Sequence, residues 1–317
     1  MMSPECSVII CTHDPRTDYL TRVLEALRLQ TLPKDRWELV VLDNASDPPV
    51  QERMQIEWHP NLRWIYEAEP GLTRARYRAI EETNSSLLVF VDDDNVLDPN
   101  YLQEACRIGE KWPQLGAWGG WCDPEFEVEP APWITPYREL LAVYAIDREY
   151  WSNQGDAMST PCGAGLCIRR RVVEIWTESL DRNPVFFLLG RNELLRFKGK
   201  PVLLSGEDSH LVNLSHELGL GCGKFPQLHF LHLIPRSRLT AEYIREIAFG
   251  MVISRGLLRR LRGEPDIPRN LLCLAKAWLN SMRFPKERRS IEQAKLAALF
   301  HQARILRDLG QVAKPLS

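Results

Sequence analysis

The chain has 317 residues, 44% of them hydrophobic and 26% charged; this is the balance of a soluble globular protein long enough to bury a full core. Its eight cysteines form no CxxC pair, which argues against a zinc site or a dense disulfide framework and for reduced thiols. The net charge of −2 hides an asymmetry: positions 236–317 carry 17 Lys and Arg against 7 Asp and Glu, so a basic tail follows an acidic body.

The start, MMSPECSVIICTHDP, has neither the basic opening nor the long apolar stretch of a signal peptide. No apolar run approaches the ~20 residues that span a bilayer. The expected location is therefore the cytosolic side.

Ser7 to Cys11 is a β-branched apolar run and reads as a buried strand, followed by the polar loop Thr12-His13-Asp14-Pro15-Arg16. Tyr19, Leu20, Val23, Leu24 and Leu27 then recur at helical spacing. Glu38 to Leu42 is a second strand ending in Asp43-Asn44-Ala45-Ser46, and Leu62 to Tyr66 a third. The spacing predicts a helix over 71–83. Leu87 to Val91 is a fourth strand that runs into Asp92-Asp93-Asp94. This alternation builds an α/β fold with a mostly parallel sheet, in which ligands sit beyond the carboxyl ends of the strands. All three polar clusters fall at such ends.

The Trp-, Pro- and Gly-rich stretch 112–165 yields no clear pattern. From Thr240 the pattern turns helical, is interrupted at Pro265 and Pro268, and resumes over 270–309. Arg255, Arg259, Arg260 and Arg262 lie among Leu257, Leu258 and Leu261. Such a helix could rest on an anionic membrane surface, pack on another helix, or form a dimer contact. Nucleic acid is not expected, because no aromatics are interleaved for stacking.

Four constellations carry chemistry. Three adjacent carboxylates repel one another, so Asp92-Asp93-Asp94 is costly without a cation. A divalent ion such as Mg2+ or Mn2+ takes carboxylates together with substrate phosphates. Strand alternation would point Asp92 and Asp94 the same way; a solvated acidic turn is the plainer alternative. Asp43 could bind a base edge or ribose, or cap a turn. Among Arg74, Arg76 and Arg78 a guanidinium could meet a phosphate or a base, with at least one of the three a surface residue. Ser205-Gly206-Glu207-Asp208 could supply a general base, and it equally suits a helix start. His229 and His232 are three apart, so at most one serves a common site.

The segments SVIICTHDPR, ELVVLDNAS, EPGLTRARYRA, LLVFVDDDNVLDPNYL and LSGEDSHL resemble, in order and spacing, family 2 glycosyltransferases of the GT-A fold. The resemblance covers about residues 5–235. It implies a Rossmann-like sheet flanked by helices, with a catalytic domain over 1–235 and a basic helical extension over 236–317. The nucleotide-sugar half is about 1–100 and the acceptor half about 101–235. Thr12, His13, Asp14 and Asp43 would line the nucleoside pocket. Arg76 would approach the base or phosphates, and Asp92 and Asp93 would complete donor binding. Asp94, Asp92 and His232 would hold a divalent metal. Asp208 would be the catalytic base, with Glu207 beside it. Tyr77 departs from the usual Asn, and His13-Asp14 from the usual aromatic-Asn pair.

The implied activity is inverting transfer from a nucleotide-diphosphate sugar, with a UDP-sugar favoured. The acceptor would be a saccharide or a lipid-linked acceptor in cell-surface or extracellular polysaccharide synthesis, reached from the cytoplasm or the inner membrane face. LHFLHLIPRSRLTAEY resembles the tail of polysaccharide-assembling members. A nucleotidyltransferase or dehydrogenase would show a Gly-rich loop after the first strand, whereas CTHDPR has no glycine. A degenerate scaffold would lack the DDD or Asp208, and both are present.

Overall fold

The computed structural model describes residues 4–190, 196–197, 199–265 and 270–312; Pro268, expected to interrupt the tail, lies outside these. The first half follows the predicted alternation. Strand β1 (Cys6–Thr12) leads through α1 (Thr17–Arg28) to β2 (Trp37–Asn44), then through the short α2 (Val50–Arg53) to β3 (Leu62–Glu67). Helix α3 (Leu72–Glu81) returns the chain to β4 (Leu87–Val91). The four strands are parallel in the order β3-β2-β1-β4, with Thr12 opposite Asp43 and Asp43 opposite Tyr66.

Side-chain alternation along β1 sorts the core into two layers. Val8 and Ile10 pack with Leu20, Val23 and Leu27 of α1, and Ile9 packs on the other face with Ala75 and Ala79 of α3. Each fully buried aliphatic side chain contributes about 1.5–3 kcal/mol, so both faces resist slippage of this strand.

In the second half the sheet becomes mixed. Short β5 (Asn95–Leu97), helix α4 (Tyr101–Lys111) and β6 (Leu115–Phe126) are followed by a 3-10 stretch at Pro132–Leu141 and by β7 (Tyr150–Ser152). Then come β8 (Leu166–Arg169), α5 (Arg170–Arg182), a small hairpin of β9 (Arg196–Phe197) and β10 (Lys200–Pro201), α6 (Glu207–Glu217) and β11 (Gly221–Ile234). The main sheet has nine strands: β8 joins β4 and β6 antiparallel, β11 runs parallel to β6, and β5 and β7 pair antiparallel with β11. The unpatterned stretch 112–165 thus holds the long strand β6, whose Gly119-Gly120 defeats a simple alternation signal.

The tail is three helices, α7 (Ala241–Leu261), α8 (Leu271–Ser281) and α9 (Lys286–Val312). Thr240 caps α7 by accepting from Tyr243 N, and the run over 270–309 is broken before Pro285, where a continuing helix would lose a hydrogen bond. Ile253, Leu257 and Leu258 of α7 join Ala298, Ile305 and Leu306 of α9 in the core layer beneath α5 and α6. Of the three readings of this helix, packing on another helix is the one that Leu257 and Leu258 follow. Gly250 lets α7 press on the chain before α6, because a Cβ there would lie 2.0 Å from the Leu203 carbonyl oxygen. Ser254 Oγ accepts from Ser205 N at 2.9 Å. No helix among the described residues is long and apolar enough to cross a membrane.

Candidate active site

At the carboxyl end of β4 lies a cleft of about 250 Å³, lined among others by Arg76, Asp92, Asp93, Asp94, Asp208 and His232. Distant segments meet there, among them the turn after β4, α3, the 162–164 loop, the start of α6 and the end of β11. Glu207, also expected in the site, lines it too.

The three aspartates do not continue the strand. Asn95 N donates to the Asp92 carbonyl at 3.1 Å, closing a turn between β4 and β5. Strand alternation therefore does not govern them, and they point three ways. Asp92 Oδ1 lies 3.6 Å from Arg76 Nη2. Asp93 accepts a short bond from Thr12 Oγ1. Asp94 Oδ2 lies 2.9 Å from Arg238 Nη1 and 3.5 Å from His232 Nε2. Burial first, then the charge of Asp94, pushes the Asp93 carboxyl up to about 7, with the Thr12 bond opposing. His232 arrives because β11 pairs with β5 in a register that sets it opposite Asn95, while Leu233 N donates to the Asp94 carbonyl at 2.9 Å.

Arg76 is 2% exposed. Its guanidinium lies 3.4 Å from Glu207 Oε1 and 3.5 Å from the Gly163 carbonyl. Burial works against its charge, but Glu207, Asp92 and Asp208 together hold its proton more firmly than usual. Its sisters on α3 take surface roles, Arg74 beside Glu69 and Phe187, Arg78 beside Glu82. Tyr77, the departure noted in the motif, turns away to donate to Asp181 at 2.8 Å.

Asp208 Oδ2 accepts from Gly163 N at 2.9 Å, and Oδ1 from Ser209 N at 2.7 Å. Ser209 Oγ adds a longer bond to Oδ1 at 3.4 Å, so the spare lone pair is on Oδ2. Only glycine fits at 163 without a shift: a Cβ would lie 3.0 Å from Arg76 Nη2 and 3.1 Å from Asp208 Cβ. Glu207 and Asp208 also stand in the first turn of α6, where the helix dipole favours carboxylates. The motif does open a helix, but its N-cap is Gly206 with no side-chain cap bond, so neither Ser205 nor Asp208 takes the capping place the sequence suggested.

The tips of β1 and β2 are organised differently. Both Asp43 oxygens are occupied, Oδ1 by Ser46 N at 3.1 Å and Oδ2 by Val50 N at 2.7 Å, with the side chain buried. Asp43 is thus the cap of its own loop and of α2. Asn44 ties this loop to the start of α3 by donating to Glu67 and Glu69 carbonyls and accepting from Gly71 N. His13 donates from Nδ1 to the Asn44 carbonyl at 2.7 Å. Asp14, at φ 44°, accepts from Asp47 N. Thr12 links this region to the cleft through Asp93. His229 stands apart, between Asp98 and Asp123 against Trp121.

Sequence reading missed Arg238 and Tyr243, which line the cleft, and Cys11 and Cys162 in its wall. The only advance signal was the basic PRSRL run before a Thr helix cap. Burial works against the Arg238 charge, and Asp94 more than restores it. Burial pushes the Cys11 and Cys162 thiols up to about 12 and about 11, so neither is a thiolate nucleophile near neutral pH.

Among the described residues no group of three or more His, Cys, Asp or Glu could by itself hold a metal ion. Two donors do converge, Asp94 Oδ2 and His232 Nε2, 3.5 Å apart. Arg238 Nη1 also lies 3.3 Å from His232 Nε2, and Nδ1 is buried without a partner. Nε2 and a carboxylate thus face the same space. Hard divalent ions keep waters and take one or two carboxylates plus substrate phosphates. The donors fit an ion shared with a diphosphate, with Arg238 as the present counter-charge.

The profile of Glycosyl transferase family 2 matches residues 7–173. Glycosyltransferase AglE of Haloferax volcanii is 33% identical over 116 residues, 36% of this chain and 34% of that protein. The chain spans about a third or less of the length of the curated relatives it matches. Among solved structures, S. aureus TarS 1-349 aligns over 98% of this chain and 90% of its own, with a TM-score of 0.51 and 15% identity. The mannosyltransferase PcManGT from Pyrobaculum calidifontis, in complex with GDP-Man and Mn2+, aligns over 98% and 74%, with a TM-score of 0.52 and 19% identity. At these identities the likeness is one of fold, and that fold is GT-A.

Proposed function

The chain belongs to glycosyl transferase family 2, and on that footing we propose that it moves a sugar from a nucleotide diphosphate to a hydroxyl acceptor with inversion, in one displacement at the cleft. The observation that carries this reading is the meeting of the Asp92–Asp94 turn, Arg76, His232 and Asp208 around one space at the strand ends. The donor diphosphate would lie against Asp94, His232 and Arg238. A cleft of about 250 Å³ is smaller than the ~300–1,000 Å³ of typical ligand pockets. The nucleoside would therefore extend outward over Thr12, His13 and Asp14.

Asp208 takes the proton of the attacking hydroxyl as that oxygen bonds C1. The C1–O bond to the diphosphate breaks, and its electron pair leaves with the phosphate oxygen. Gly163 N and Ser209 N fix the carboxylate for this task. Arg76 holds Glu207 and Asp92 in place behind it and offsets the mutual repulsion of three carboxylates, Glu207, Asp92 and Asp208. Arg238 offers charge-assisted donors to phosphate oxygens. A divalent ion shared by Asp94, His232 and the donor would, when bound, neutralise charge on the departing diphosphate.

PcManGT was solved with GDP-Man and Mn2+, which supports a nucleotide-sugar donor and a metal without fixing the base; the resemblance in the sequence favours UDP. The tail motif supports a saccharide or lipid-linked acceptor in polysaccharide assembly, reached from the cytoplasmic side. The test is nucleotide release from a panel of UDP-, GDP- and TDP-sugars with Mn2+. Turnover of one donor, lost in Asp208→Asn, supports the reading. Full turnover in that variant would overturn the assignment of the base, and no turnover of any donor, with no nucleotide bound, would favour a scaffold.

A further inference from the structure

Helix α8 carries most of the exposed large apolar side chains of the tail among the described residues. Leu271, Leu272, Trp278 and Leu279 are 61%, 75%, 43% and 68% exposed, and Met282 just beyond is 50% exposed. At 100° per residue these five and Ala275 fall within one arc of about 120°. Leu274 and Ser281, the least exposed positions of the helix, lie just beside this arc next to Trp278, and Gln293 of α9 donates to Ser281 Oγ. The helix therefore rests on α9 by a narrow edge and leaves the apolar arc uncovered. Isolated exposed leucines are ordinary, but a contiguous apolar stripe marks an interaction surface.

The charge around the stripe indicates what covers it. Lys276 borders it on α8, and Arg283 and Lys286 follow at its end, all exposed. None of the three forms an ion pair among the described residues. Over 270–290 there are five basic residues and one acidic. An apolar stripe edged by lysine and arginine, with a tryptophan on its rim, has the chemistry of a helix lying in a bilayer interface. At about 1.5 Å per residue its 11 residues reach ~16 Å, about half a hydrocarbon core, so it lies on a membrane and does not cross it.

We infer that α8 is a membrane-docking helix, seating the protein on an anionic lipid surface through Leu271, Leu272, Trp278, Leu279 and Met282, with Lys276, Arg283 and Lys286 at the phosphates. Among the tail helices it falls to α8, since α7 spends Leu257 and Leu258 on the core. It rests on no property of the cleft, so its failure leaves the transferase reading intact.

The test is flotation of the full chain with phosphatidylcholine vesicles, with and without about 30 mole per cent phosphatidylglycerol, at low and high salt. Binding is expected to the anionic vesicles and to weaken with salt. In Leu272→Asp/Leu279→Asp the bound fraction is expected to fall about tenfold or more, with melting temperature and donor turnover unchanged because both positions are exposed. Lys276→Glu/Arg283→Glu is expected to abolish the preference for anionic lipid. No binding to either vesicle, or binding unaffected by both variants, overturns the inference. So does a wild-type dimer that the leucine variant converts to monomer without any vesicle binding, which would assign the stripe to a second copy.

Discussion

Two regions of this molecule present aspartates at the tips of parallel strands, and they use them in opposite ways. After β2, Asp43 gives both oxygens to backbone N–H groups of its own loop. After β4, Asp92, Asp93 and Asp94 meet groups brought from distant segments, Arg76, Thr12, His232 and Arg238, while Asp94 Oδ1 turns to a neighbour, the Asn95 side chain. The residue type and the place in the fold are the same. What differs is where the partners come from: Asp43 is bonded by backbone N–H groups within seven residues, the later carboxylates chiefly by side chains of other segments. Asp208 stands between the two cases, held by two backbone N–H groups yet lining the cleft.

That contrast can be broken in graded steps. The largest effect is expected from Asp208→Asn, which keeps shape and removes the base. General-base contributions of ~10²–10⁴-fold set the loss in kcat, with only a modest fall in melting temperature, because the amide NH2 cannot accept one of the two backbone N–H groups that the carboxylate accepts. If Asp208 were chiefly a cap, the order would reverse, with stability lost and turnover spared.

Gly250→Val attacks the loop from behind. A side chain there would collide with the Leu203 backbone, and overpacking of this kind costs about 1–3 kcal/mol or more. Because Ser205 hangs on Ser254 of the same helix, kcat should fall along with the melting temperature. Normal turnover in a protein that has lost stability would show that α7 does not position Glu207 and Asp208.

Asp43→Ala is expected to do the converse of Asp208→Asn. Loss of a buried cap costs about 1–2 kcal/mol, seen as a lower denaturant midpoint. Turnover in the folded fraction should change less than tenfold, about 1.4 kcal/mol at most. A loss of donor affinity without loss of stability would instead return Asp43 to the nucleoside pocket.

The smallest effect concerns pH. His210 is 5% exposed and stacked on Phe186 at 4.0 Å; burial, with Arg262 adding to it, lowers its pKa to about 3. Burial and Lys34 lower His59 to about 4. Both stay neutral in the fold but take up protons at about 6.5 when unfolded. Their contribution to stability is thus fully present above pH ~6.5 and is lost as pH falls toward 4 and then 3. His59→Gln/His210→Gln should flatten the melting temperature between pH 6.5 and 4. An unchanged slope would place the acid sensitivity elsewhere, in the carboxylates.

The sequence carried the site where chemistry and periodicity agree. Apolar runs ending in Asp, Thr and Glu located the strand tips, and the fold then gathered Arg76, Asp92–Asp94, Glu207, Asp208 and His232 as the motifs implied. It did not carry what depends on pairing at a distance. No local pattern says that β11 would lay His232 against Asp94, or that Arg238 would reach the same carboxylate. The long strand β6 was hidden because Gly119-Gly120 breaks the alternation. In the tail, leucines in α7 and α8 look alike in sequence. Only packing shows that Leu257 and Leu258 are buried while Leu272 and Leu279 face outward.

The central claim is that the cleft binds a nucleotide diphosphate with a divalent ion. Thermal shift with UDP, GDP, TDP and CMP, each with and without Mn2+, tests it in the wild type and in Asp94→Asn. At ~100 Kd a ligand should add ~2.7 kcal/mol. The account requires one diphosphate to stabilise the wild type only with metal, and the shift to vanish in Asp94→Asn measured against its own baseline. A shift that ignores both Mn2+ and Asp94, or none with any nucleotide, would contradict it.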